Sequence, residues 1–310
     1  MPSFARTTNG ETRPLLEGHR ESELVNLSSL DHPLNPVNLP RWRKWAGASV
    51  LGAMTFVVAF ASAAFNAAIP VTAIEFHVKP ETMGLGTSLF VFGFATGPII
   101  MGPASEVYGR KLPFFLGYVL FVLSQIPVAL GHDAPTVLVF RFLGGVTSSV
   151  CPAITGGWLA DFLLPAERGV AVAIFAATTL VGPSIGAITS QVQLQTAMGW
   201  RMTAWTTMIL GTISGVAGFI ILPETYLPVV EQRHARKLRQ ETKDWALHSR
   251  LDEKPVSIRE FLTKYLTLPI SMLVSEPILL SMTIYISFTF GLIYLLFVVS
   301  TFGVVLIYSS

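Results

Sequence analysis

Charge is what this 310-residue sequence has least of: Asp, Glu, Lys and Arg together make up 13%, against about a quarter in ordinary soluble domains. With a mean hydropathy of +0.57, that shortage excludes an ordinary soluble globular fold. The net charge of +2 leaves no basic field to hold a nucleic acid. The single cysteine, Cys151, excludes an internal disulfide and any cysteine-based metal cluster. Enzyme signatures are missing too: no paired-carboxylate site, no Gly-x-Ser-x-Gly turn, no Walker Gly-Lys-Ser/Thr and no histidine pair at metal spacing. His234 and His248 stand apart in a polar segment. The chain reads as a non-enzyme that needs no cofactor. Residues 1–40 also lack the apolar run of a secretory signal.

Long apolar runs are what the sequence does have. About 20 apolar residues cross a hydrocarbon core of about 30 Å, and such runs fall near 46–69, 85–105, 113–131, 135–160, 169–191, 202–222 and 277–308. The fold class is therefore an all-α membrane protein: a six-helix bundle over 45–223 and a seventh span within 277–310. Residues 1–44 form a polar tail that reads as disordered. Residues 224–276 form the one sizeable soluble piece, with nine basic and eight acidic residues. In it Ser257-Ile-Arg-Glu260 reads as a capping box opening an amphipathic helix along the membrane face.

Basic residues set the orientation. With the amino terminus in the cytosol, all but three of the 21 Lys and Arg fall on that side, the exceptions being Lys79, Arg141 and Arg201. A multi-pass protein with a cytosolic amino terminus follows, most simply in the plasma membrane, and its Asn26-Leu27-Ser28 sequon goes unused. A seven-span receptor would need the opposite orientation.

Arg141 is the only formal charge well inside an expected span, and a charge there costs about 2.5–3.5 kcal/mol on insertion scales. It either faces a central cavity, to hold substrate or govern protonation, or snorkels to the outer interface. Asn66 and Gln125 are further polar candidates for the cavity. Thr147, Ser148, Ser149, Thr155 and Gln191 read as helix–helix hydrogen bonds. No carboxylate lies inside an expected span. Gly182-Pro183 in the fifth span and Gly97-Pro98 in the second echo each other, which hints at a three-plus-three internal repeat.

The stretch Met101-Gly-Pro-Ala-Ser-Glu-Val-Tyr-Gly-Arg-Lys111 reads as a short charged turn between spans two and three. It resembles the signature loop of the major facilitator superfamily, with Gly102, Gly109, Arg110 and Lys111 matching and Glu106 standing for the family's Asp. Asn35-Pro-Val-Asn-Leu-Pro40, Arg141 to Gly145, Gly182-Pro183, Pro223-Glu-Thr-Tyr-x-Pro228 and Phe290 to Phe297 are similar to the twelve-span fungal drug:proton antiporters. The resemblance implies proton-driven export of small organic molecules, drugs or secondary metabolites, by two six-span bundles. It implies a proton-coupling role for Arg141 and a packing motif in Gly182, Pro183 and Gly186. It also implies a gating loop at Gly102, Glu106, Gly109, Arg110 and Lys111, with Glu106 facing a helix of the second bundle. The likeness fades after Phe297, which gives the expectation of a truncated product needing a missing carboxy-terminal bundle as partner, alongside substrate, protons and bilayer. The other reading is a non-transporting membrane protein that binds or regulates a partner half-transporter.

Overall fold

The computed structural model describes residues 35–243, 245, 249 and 271–309, with side chains as far as Leu296. The tail through residue 34, its sequon and the capping box at Ser257–Glu260 lie outside the described residues.

All seven expected spans are helical, and most run a few residues further than their apolar cores. The first comprises α1 (Arg41–Ala64), a 3-10 turn at Asn66–Ala68 and α2 (Ile69–Glu75). The second joins α3 (Pro80–Thr96) to α4 (Pro98–Tyr108), and the third is α5 (Lys111–Leu130). The fourth joins α6 (Ala134–Ser148) to α7 (Val150–Phe162). Helices α8 (Pro165–Leu194) and α9 (Arg201–Ile221) are the fifth and sixth, α10 (Leu227–Thr242) follows, and α11 (Pro277–Ser309) holds the seventh. Several helices open on a proline in their first turn, where the missing N–H has no intrahelical partner to lose, as at Pro80, Pro165 and Pro228. Asp133 caps α6 by accepting from Thr136 N at 3.0 Å.

Inside a bilayer, lipid is as apolar as leucine, so close packing rather than hydrophobicity joins helices, and small residues mark the seams. The most extensive interface is α1 against α8 and the next is α3 against α6. At the first seam a methyl on Gly182 would stand 2.7 Å from Ala59 Cβ and 3.0 Å from Phe56 O, and one on Gly186 would press on the Phe60 backbone. At the second, a methyl on Gly93 would stand 2.8 Å from Val146 N, and one on Gly145 2.9 Å from Phe90 C. These are spans one with five and four with two. Exchanging one with four and two with five turns either pair into the other, so the packing supports the internal repeat that the Gly-Pro echo suggested.

Two apolar clusters fill the bundle. One holds Leu51, Met54, Phe114, Phe121, Ile154 and Trp158, and the other holds Phe65, Met83, Val137, Trp200 and Ala204. The seventh span's apolar window has none of its residues buried in the described structure.

Candidate functional site

Two places gather polar side chains: the turn between spans two and three, and a cavity between the first bundle and span seven.

The turn is shorter than the sequence suggested. Gly97 stays helical at φ −60° and ψ −39°, so Gly102 and Glu106 ride on α4 and only Gly109 and Arg110 remain as the link. Gly109 takes φ +89° and ψ 170°, a backbone region that side chains disfavour. A Cβ there would also stand 2.8 Å from the carboxyl carbon of Glu224. Removing it lets Glu224 accept from Arg110 N at 2.9 Å and Lys111 N at 3.1 Å. These are amides at the amino end of α5, where a negative group is favoured. The same carboxylate accepts from Thr225 N and Tyr226 N, both at 3.1 Å.

Around this carboxylate the basic side chains fan out. Arg110 donates from Nε to Asp161 Oδ2 at 3.3 Å and from Nη1 to Ser105 Oγ at 2.9 Å. Its guanidinium lies over Tyr226, 4.8 Å from the ring centre. Gly157 leaves room for it, since a methyl there would meet the guanidinium at 3.0 Å. Lys111 donates to Phe219 O at 3.2 Å. Burial pushes the Tyr226 hydroxyl above its usual range, with the Glu106 carboxylate reinforcing the shift. Glu106 is half-buried, and the carboxylate that meets the start of α5 is Glu224. Asp161, one residue past the expected fourth span, lies inside the longer helix α7.

The cavity measures about 1240 Å³ and is lined from α1, the Asn66–Ala68 turn, α2, α3, α8 and α11. Pro183 forms part of its wall, so the Gly182-Pro183 segment serves both cavity and seam. Ser62 and Tyr294 exchange a hydrogen bond of 2.7 Å across it, tying span seven to span one. Asn66, also in the lining, accepts from Thr87 Oγ1 at 2.6 Å.

Arg141 stands one layer behind this wall. Only 4% exposed, it does not reach the outer interface, and the snorkelling reading falls. The first span explains its position. At Phe65 the α-helical ladder breaks, and the Phe65 N–H turns to Ala63 O. That leaves earlier carbonyls open to the arginine. Arg141 donates to Ala61 O at 3.0 Å, Ser62 O at 3.3 Å and Gly86 O at 3.2 Å. Its guanidinium is flanked by Phe65 and Phe90, at 4.9 and 4.6 Å. No carboxylate pairs with it among the described residues. Arg141 thus lies behind the cavity wall rather than in its lining, bonded to the Ser62 backbone and packed on Phe90.

Gln125 does not join this group. It is buried within α5, bonded to Phe121 O and Ser124 Oγ at 3.3 Å each, and does not line the cavity. The hydroxyls of Thr147, Ser148 and Ser149 bond carbonyls of their own helix rather than of a neighbour.

A family model described as Major Facilitator Superfamily matches residues 51–310. The chain belongs to the major facilitator superfamily. The match runs past Phe297, where the motifs quoted from the sequence end. As a superfamily member with seven apolar helices, the chain is a multi-pass membrane protein. It is 99% identical over 198 residues to the MFS-type transporter tazK of Aspergillus terreus, covering 64% of this chain and 56% of that protein. To the citrinin biosynthesis cluster MFS transporter mrr1 of Monascus ruber it is 46% identical over 275 residues, 89% of this chain and 55% of that one. The chain spans about half the length of the curated relatives it matches. The proton:xylose symporter XylE shares its fold, with a TM-score of 0.56 at 14% identity over 72% of this chain and 53% of that one.

Proposed function

We propose that this superfamily chain serves proton-coupled export of small organic molecules of the secondary-metabolite kind, from a plasma membrane with its amino terminus in the cytosol. The observation that carries the reading is the cavity of about 1240 Å³ backed by Arg141. Its walls come from four spans, mostly apolar, with a few polar groups of the kind that orient a ligand. Arg141 remains charged at any physiological pH. A positive charge without a paired carboxylate favours the deprotonated form of an acid brought near it, which is how an arginine can set a proton-release threshold. The turn at Gly109–Lys111 suits a latch on the cytosolic side, since one carboxylate there joins the starts of α5 and the segment after α9.

Alternating access takes two bundles rocking about a shared site, and transport is therefore proposed to require a second six-span bundle as partner. The test is efflux of a fluorescent organic substrate from proteoliposomes under an imposed pH gradient. The 310-residue chain is measured alone and co-expressed with the carboxy-terminal half of the Monascus ruber relative. Gradient-driven movement is expected only in the combined preparation. Movement by the chain alone would remove the partner requirement. No movement in either would remove the transport reading and favour a non-transporting partner protein.

A further inference from the structure

Asn66 is a polar residue that its own bundle leaves half satisfied. It sits in the 3-10 turn between α1 and α2 and is 1% exposed. Its Oδ1 accepts the Thr87 hydroxyl at 2.6 Å, which fixes the rotation of the amide. Its buried Nδ2 has no hydrogen-bond partner among the described residues. A buried donor without an acceptor is unfavourable, and native structures keep few of them without a use. The residue lines the cavity, so its unpaired donor sits within the cavity wall, where a small shift of the amide brings it to a bound molecule.

The rest of the lining narrows what that molecule is. Val58, Ile69, Phe90, Phe94 and Pro183 present apolar surface. Among the described residues, the only carboxylate or cationic side chain in the lining is Glu81, exposed in the first turn of α3. Ser62 and Tyr294 already satisfy one another at 2.7 Å. What the wall lacks is an acceptor for Asn66 Nδ2.

We propose that Asn66 is a specificity-determining residue that donates through Nδ2 to a carbonyl oxygen on an uncharged, mainly apolar substrate. Thr87 is the positioning residue that aims the amide. A ligand that carries the acceptor satisfies a donor otherwise buried unpaired, and a ligand that lacks it gains nothing there. The inference rests on the transport reading only in calling the ligand a substrate.

Two rigid, uncharged probes that differ only in a carbonyl test it: 9-fluorenone and fluorene. Their binding to the 310-residue chain in lipid nanodiscs is measured against empty nanodiscs, so that partition into lipid is subtracted. Wild type is expected to favour fluorenone by about tenfold. Asn66→Leu should reduce that ratio to near unity while leaving fluorene binding intact. Thr87→Val, which removes only one hydroxyl, should lower the ratio part-way, and it serves as the second variant if Asn66→Leu does not fold. Equal affinity for the two probes in wild type, binding of neither, or a full preference surviving either substitution overturns the proposal. Efflux that persists without a carbonyl preference removes this inference alone. A carbonyl preference without efflux in the combined preparation removes the transport reading and leaves the site.

Discussion

Glu224 and Arg110 meet through the backbone rather than through their charges: Oε1 accepts the Arg110 amide at 2.9 Å while the guanidinium turns to Asp161. The carboxylate thus acts as a bracket on the end of α5, with its side chain only 6% exposed. Arg233, at 4.0 Å and largely exposed, adds little.

Glu224→Gln keeps the shape but supplies one acceptor oxygen where two are used. Bonds to charged groups are worth about 1.5–3 kcal/mol, so the apparent melting temperature in detergent should fall by about 5 °C. Arg233→Ala, removing only the exposed partner, should leave it within about 1 °C.

Gly109→Ala introduces a side chain where φ is +89° and where Glu224 already sits. The backbone term alone is about 1–2 kcal/mol. The double variant with Glu224→Ala should be less destabilised than the two single effects combined, because the steric conflict is counted once. A strictly additive melting series would contradict this packing.

Arg141→Lys keeps the charge but offers one ammonium where three carbonyls are served from a planar fork. It should resemble Arg141→Met in stability rather than wild type, each losing about 3 kcal/mol or more. Thermal unfolding of the three proteins side by side decides it, and a lysine variant as stable as wild type would contradict the fork arrangement.

Gly145→Ala and Gly102→Ala make a matched pair. The first methyl would press on the Phe90 backbone, while the second meets nothing within 4 Å. Gly145→Ala should cost about 1–3 kcal/mol through overpacking. Gly102→Ala, within α4, should be neutral or stabilising by up to about 1 kcal/mol. Yields of folded protein after mild heating rank the two.

Asp133 titrates outside the membrane spans. Its backbone and side-chain bonds from Thr136 hold the carboxyl below the usual carboxylate range. A depressed folded value means that its contribution is complete above the unfolded pKa of about 4 and is lost as pH falls through the lower folded value. Hydrogen exchange at the amino end of α6 should therefore quicken below about pH 4. Asp133→Asn, which can still cap, should remove that pH dependence.

The seven spans were legible because hydrocarbon thickness imposes a run length that composition cannot disguise. Arg141 and Asn66 stood out because polar atoms are rare in such runs. What could not be read was pairing. Glu224, Asp161 and Glu75 earn their places through partners 51 to 126 residues away in sequence, as in Arg110–Asp161 and Arg201–Glu75. A signal existed for Glu224: an acid directly after the proline that ends a span, in a run already quoted for its resemblance. Gln125 is bonded within its own helix, an arrangement that sequence cannot distinguish from a cavity position. Helix ends escaped because Glu75 and Asp161 lie just beyond the apolar windows while the backbone ladder continues through them.

The three carbonyl bonds of Arg141 also give the cavity an electrical character. They stabilise the guanidinium without neutralising it, so a net positive charge is fixed just behind the wall. At about 10 Å and an effective dielectric constant near 20, that charge is worth about 1.7 kcal/mol to a unit charge in the cavity. A cation would lose about tenfold in occupancy there, while the uncharged ligand proposed above is unaffected. The field turns cations away before any side chain touches them.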